Sequence, residues 1–136
     1  MLAPKKQKHR KWHRSAGTSG RLASRNTTIS FGDFAMKAIT PGWVNARQIE
    51  AVRRVLVRFI RKGGKIWIRV FPDKPVTVKG AEVGMGKGKG SVDHYVVQVL
   101  PGQILFEMAG IPQAKAKEAL HLASYKLKIK TKVVIK

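Results

Sequence analysis

Apolar residues in this chain recur with a period of two in some stretches and of three to four in others, and the changes mark its elements. The clearest period of two is Lys65-Ile66-Trp67-Ile68-Arg69-Val70-Phe71, which predicts a strand with Ile66, Ile68 and Val70 on one face. Pro72-Asp73-Lys74-Pro75 reads as a turn, after which residues 76–78 resume a strand. Residues 92–100 and 103–108 flank Pro101-Gly102, the pattern of an antiparallel hairpin. Near the start of the patterned region, Ile29 with Phe31 and residues 34–39 predict two short strands that end at a Pro41-Gly42 turn. Residues 127–136 alternate again. Leu127, Ile129, Val133 and Ile135 point one way, and Lys128, Lys130, Lys132 and Lys136 the other.

Two segments carry the helical period instead. Asn45 opens the first, with Gln48 at capping-box spacing and Val44 with Ile49 at the spacing of a hydrophobic staple. Lys62 and Gly63 are expected to close it. At about 100° per residue, Ile49, Val52, Leu56, Phe59 and Ile60 share one side. Arg47, Arg54, Arg58 and Arg61 fall opposite, within an arc of roughly 60° and a length of about 20 Å. Pro112 begins the second helix, whose buried side is Ala116, Ala119, Leu120, Ala123 and Leu127. The expected fold is α+β: two helices packed on a mainly antiparallel sheet.

Composition sharpens this into a class of partner. The chain has 136 residues, about one domain, with 43% hydrophobic residues and a formal net charge of +21. Such an excess repels itself in a free monomer and is neutralised by a polyanion. Eight basic side chains (Lys5, Lys6, Lys8, Arg10, Lys11, Arg14, Arg21, Arg25) and no acidic one occupy the first 32 residues. Residues 15–28 are rich in Gly, Ser and Thr without an apolar period. Residues 1–27 are therefore expected to form an extended basic arm that orders on a partner, ahead of a single domain over 28–136. Trp12 among these charges suits stacking on a base or packing on a partner. The arginine row on the first helix suits forked hydrogen bonds to a phosphate backbone of RNA or DNA.

Between two strand-like stretches lies Gly84-Met85-Gly86-Lys87-Gly88-Lys89-Gly90, a backbone-rich loop with cationic tips. It is not a nucleotide site. Both Gly-Lys pairs are followed by glycine, where a P-loop needs Ser or Thr, and Lys89 and Ser91 stand where a Gly-x-Gly-x-x-Gly frame needs its third glycine. Nor does the loop lead into a helix N-terminus. The expectation is a hairpin loop that faces nucleic acid.

Other chemistry is excluded in turn. The seven acids are dispersed, with no local pair suited to acid–base work. His9 and His13 are four apart but sit in a Lys/Arg run without an acidic or thiol partner, so no metal is expected there. His94 and His121 read as surface or packing residues. With no cysteine there is neither disulfide nor thiolate site. No apolar run reaches the roughly 18 residues of a membrane span, and the basic start lacks the serine-rich amphipathic pattern of a transit peptide. The expected compartment is the cytoplasm. No catalytic residue, cofactor, membrane or small-molecule substrate is expected.

Residues 65–77, followed at the right distance by Met85-Gly86-Lys87-Gly88-Lys89-Gly90, closely resemble bacterial large-subunit ribosomal protein sixteen. Met1-Leu2 with Pro4-Lys5, Phe31-Gly32, Arg47-Gln48-Ile49-Glu50-Ala51, Pro101-Gly102, Phe106-Glu107-Met108 and Lys126-Leu127 extend the resemblance over essentially the whole chain. It implies an α+β structural protein of the large ribosomal subunit, not an enzyme, that enters late in assembly. Its implied partners are large-subunit ribosomal RNA, transfer RNA and neighbouring ribosomal proteins. By this resemblance Met85, Gly86, Lys87, Gly88, Lys89 and Gly90 reach toward transfer RNA at the aminoacyl and peptidyl sites, near the peptidyl-transferase centre. Lys5, Lys6, Lys8, Arg10, Lys11, Trp12 and Arg14 thread into ribosomal RNA, and Arg47, Arg54, Arg58 and Arg61 anchor a phosphate row. Two departures stand out. Gly84 occupies a position where many relatives carry an arginine, in some of them hydroxylated, and residues 15–28 replace the family's usual run of basic residues and glycines. Charge alone also fits a free-standing DNA-compacting or RNA-chaperone protein. An RNA-modifying enzyme ranks third, since it needs a cofactor loop and an acid or nucleophile constellation.

Overall fold

The computed structural model of the chain describes residues 2–14, 20–60 and 63–136. Its elements in order are β1 (Phe34–Ala38), β2 (Gly42–Asn45), α1 (Ala46–Phe59), β3 (Lys65–Ile68), β4 (Lys74–Val78), β5 (Ser91–Val99), β6 (Ile104–Ala109), α2 (Gln113–Ser124) and β7 (Thr131–Ile135). The strands form two antiparallel sheets, one ordered β3-β6-β1-β7 and the other β2-β5-β4. The fold is the expected α+β, but the single sheet is replaced by two.

The local signals of α1 are realised. Asn45 accepts from the Gln48 N–H at 2.8 Å, and the Gln48 side chain accepts from the Asn45 N–H at 3.0 Å, a reciprocal capping box. Ile49, Val52 and Leu56 are fully buried, with Phe59 and Ile60 packed against the same cluster. The helix ends at Phe59, with Ile60 as its cap; Arg61 and Lys62 lie outside the described residues. On α2, Ala116, Ala119, Leu120 and Ala123 are buried as expected. The two helices pack on each other, α2 over β1 and β7 and α1 beside β2 and β3.

Strand boundaries and pairings differ from the sequence expectations, each for a tertiary reason. Pro101-Gly102 does not join a hairpin. Gly102, at φ +92°, gives its N–H to Ala38, and the chain passes from β5 in one sheet to β6 in the other. β6 is central, and Ile104, Leu105, Phe106, Glu107 and Met108 are all at most 1% exposed, so both of its faces are covered. Pro75 lies inside β4 rather than in a turn. It is tolerated because β4 is an edge strand. β3 stops at Ile68, after which the chain leaves for β4, although the Arg69 N–H still reaches the Leu105 carbonyl at 2.9 Å.

Only residues 131–135 of the C-terminal alternation pair as a strand. Before it the chain turns off α2 through Lys126 and Leu127, and Ile129 is buried against Gly42, where a Cβ would come within 2.4 Å of it. Gly42 accordingly opens β2 instead of closing a turn. Ile29 and Phe31 form no strand. The N–H groups of Ser30, Phe31 and Gly32 turn instead onto the Glu107 carboxylate at 3.1, 2.7 and 2.8 Å.

Candidate nucleic-acid interface

Three cationic surfaces emerge from this frame. The first is the loop of residues 79–90, which joins the antiparallel strands β4 and β5. Where those strands converge, a Cβ at Gly90 would lie 2.6 Å from the Val78 carbonyl oxygen, so only glycine fits. Lys79 then shapes the loop from inside. Its ammonium donates to the carbonyls of Gly84 at 3.1 Å and Gly86 at 2.9 Å, curling the first half of the loop around one cation. Lys87 takes φ +61° and Gly88 φ +99°. The result is an open concavity of about 580 Å³ lined by Gly80, Gly84, Gly86, Gly88 and Gly90 with Lys79, Lys87 and Lys89, while Met85 stands 92% exposed outside it. Around Gly84 and Gly86 a Cβ would meet nothing, so neither glycine is demanded by packing.

The second surface is the arm. Lys5, Lys6, Lys8, Arg10, Lys11 and Arg14 are all exposed. The Gln7 side-chain amide donates to the Asp73 carbonyl at 2.6 Å, just before β4. Lys11 donates to the Lys89 carbonyl at 3.1 Å, and Lys89 in return donates to the Trp12 carbonyl. The arm and the glycine-lysine loop are thus clasped to each other by the lysines that sequence reasoning assigns to RNA. Further on, residues 23–26 are tied to the sheets, with Ala23 donating to Pro101 and the Asn26 amide to the Arg69 and Ile104 carbonyls.

The third surface is α1. Arg47, Arg54 and Arg58 are exposed on one side, and with Lys126 they line a shallow concavity of about 410 Å³. Glu50 sits among them. Arg53 grips its carboxylate with two bonds of 2.8 and 2.7 Å, and Arg54 adds one of 3.2 Å. These hydrogen bonds, that from Arg53 first, bring the Glu50 carboxyl down to about 2. One cation of the expected row is therefore partly engaged within the helix. Arg61, the fourth of that row, lies outside the described residues.

Sequence reasoning missed four residues that shape these surfaces: Lys79, Lys126, Trp43 and Glu107. Lys79 was visible only as a member of a large basic excess, and Lys126 only as part of the Lys126-Leu127 pair in the family resemblance. Trp43 stands 37% exposed on β2 with the Lys74 ammonium 5.0 Å above its ring. Glu107 is fully buried in β6 and receives Arg69 besides the three N–H groups of residues 30–32. Burial pushes its carboxyl upward, but the backbone bonds from Gly32, Phe31 and Ser30 and the Arg69 guanidinium together outweigh that, and it is held below its ordinary value. Arg69 also lies 5.0 Å from the ring of Phe31, which stacks on Trp67 at 6.1 Å.

Among the described residues, no group of three or more His, Asp or Glu is placed to hold a metal, and no helix is long and apolar enough to cross a membrane. Cationic side chains dominate all three surfaces, the mark of an α+β protein whose exterior suits a polyanion. The chain matches the family described as Ribosomal protein L16p/L10e over residues 4–134, and it belongs to that family. It is 54% identical to the large ribosomal subunit protein uL16c of Porphyra purpurea, over all of this chain and 96% of that protein. To the large ribosomal subunit protein uL16c of Gracilaria tenuistipitata it is 53% identical, over all of this chain and 99% of that one. The chain is a structural ribosomal protein of the large subunit that serves translation, and not an enzyme.

Proposed function

We propose that this chain binds large-subunit ribosomal RNA through its arm and the arginine side of α1, and helps position transfer RNA through the loop at residues 79–90. It joins the large subunit late in assembly. The observation that carries the reading is the clasp between Lys11, Trp12 and Lys89, which fastens the basic arm to the glycine-lysine loop. An arm held by ribosomal RNA would fix the base of a loop presented to a second RNA. Phosphate contacts of this kind position without reading bases.

Two measurements test it. With about 6–10 phosphates neutralised, RNA affinity of the isolated chain should fall by roughly 10³–10⁵ between about 50 and 200 mM salt. A nearly flat dependence overturns the electrostatic mechanism. Ribosomes carrying Lys87→Ala, which leaves the Lys89 clasp intact, should contain the protein at full stoichiometry and accommodate aminoacyl-tRNA more slowly. Loss of the protein from those ribosomes would make the loop an assembly element instead. The cytoplasmic compartment expected from sequence is tested by fractionation, and recovery with the ribosomes of an organelle would overturn it.

A further inference from the structure

The outer face of the three-stranded sheet is covered in an unusual way. Val44, Val97 and Val99 face the central cluster. Register pairs Trp43 with Gln98 and Lys74 with Val96, and the alternation along β5 puts all four on the opposite face. On that face Val96 is 3% and Lys74 6% exposed. The arm lies against part of it. Trp12, His13 and Arg14 lie over it and, with Trp43, Lys74 and Lys89, enclose a cleft of about 270 Å³.

The lining of this cleft is chemically selective. It holds two of the chain's three tryptophans, 39% and 37% exposed, whereas the third, Trp67, is stacked under Phe31. Arg14, Lys74 and Lys89 contribute cations, and no carboxylate lines it. Two of these cations also brace the residues that carry the indoles. Lys74 sits over the Trp43 ring, and the Lys89 ammonium holds the backbone carbonyl of Trp12. Indole faces with cations beside them suit one base and its phosphate, because stacking is tolerant of base identity and the cations supply the phosphate contact.

We propose that the cleft between Trp12 and Trp43 is a stacking site for a single unpaired nucleotide of RNA. Its base lies against the indoles and its phosphate is taken by Arg14 and Lys89. The site rests on the RNA-binding reading above and adds a distinction that reading does not make. Phosphate contacts from Arg47, Arg54 and Arg58 are open to single-stranded and duplex RNA alike, whereas the cleft accepts only a base that is out of its helix.

The test compares binding of the full chain to a single-stranded RNA dodecamer and to a blunt-ended RNA duplex of equal phosphate number, followed by tryptophan fluorescence and by titration. Trp43→Leu and Trp12→Leu should each weaken single-strand binding by about tenfold, leave duplex binding within about twofold, and leave the salt slope unchanged. Trp43→Phe should retain most of the single-strand affinity. If Trp43→Leu melts early, Trp12→Leu carries the comparison, since Trp12 stands outside the central cluster. Equal losses on both RNAs, or no loss on either, overturn the proposal. So does unchanged RNA affinity together with loss of a neighbouring protein from variant ribosomes, which would make the cleft a protein-docking site. If the unaltered chain binds neither RNA, the RNA-binding reading itself fails.

Discussion

In β6 a glutamate is sealed from water against three backbone N–H groups and an arginine. On α1 another stands in solvent between two arginines. Both carboxyls are held below their ordinary values, so acidity alone does not tell them apart. Their consequences differ because water competes for one and not the other. Glu107 fixes residues 30–32 across the outer side of the four-stranded sheet and keeps the chain just before β1 in place. Loss of its charge leaves the Arg69 guanidinium without its counter-ion and removes one of the two carboxylate oxygens that the three N–H groups share. Glu50 only restrains side chains that solvent and ions would otherwise share, and exposed pairs of this kind contribute little to stability. Its larger effect is electrostatic, since it partly neutralises the arginine surface of α1 proposed to meet RNA.

The largest expected effect comes from Glu107→Gln, which breaks a buried pair while leaving the cation behind. Destabilisation of about 3–5 kcal/mol should appear in thermal or denaturant unfolding. Loss near that of a surface substitution would show that the carboxylate is not the acceptor the geometry indicates. The pH dependence carries the same test with a fixed sign. A carboxyl depressed on folding contributes stability that is fully present above its ordinary value near 4.5 and is lost as pH falls through the folded value. The melting temperature of the unaltered chain should therefore decline below about pH 4.5, and more steeply than that of Glu107→Gln. Glu50 acts over the same direction, between about 4.5 and about 2, and its share should remain in the Glu107→Gln profile.

A smaller effect, and one visible in binding, is expected from Glu50→Gln. Release of Arg53 and Arg54 should leave the melting temperature nearly unchanged and strengthen RNA binding at low salt. If one more phosphate is neutralised, the slope of log affinity against log salt steepens by about 0.7 for a single strand. An unchanged slope would mean that the arginines of α1 do not meet phosphate, and would erase the functional half of the contrast between the two glutamates.

Helices were legible because their signals are local. Asn45 with Gln48 closes a cap within one turn, and the buried stripes of α1 and α2 follow from spacing alone. Strand pairing was less legible, because a period of two names a face and not a neighbour. Residues 92–100 and 103–108 flank a turn that serves a hairpin and a passage between sheets equally well. The loop and the arm were legible as cationic segments. Their mutual clasp was not, since residues 11 and 89 are remote in sequence and each lysine reads as one more surface charge. Glu107 was the least legible of all. In sequence it is one of seven scattered acids, and its partners at 30–32 are backbone groups that no residue pattern announces.

By itself the sequence determined the α+β class, the two amphipathic helices, the polyanion partner and the family, because periodicity, net charge and motif order are written residue by residue. Only the tertiary structure decided that the strands divide into two sheets, that Lys79 and Lys89 spend hydrogen bonds on shaping and fastening the loop, and that Trp12 and Trp43 share one cleft. The sheet pairing, the Lys89 clasp and the shared cleft depend on which groups remote in sequence are brought together, a matter of chain path rather than of local preference.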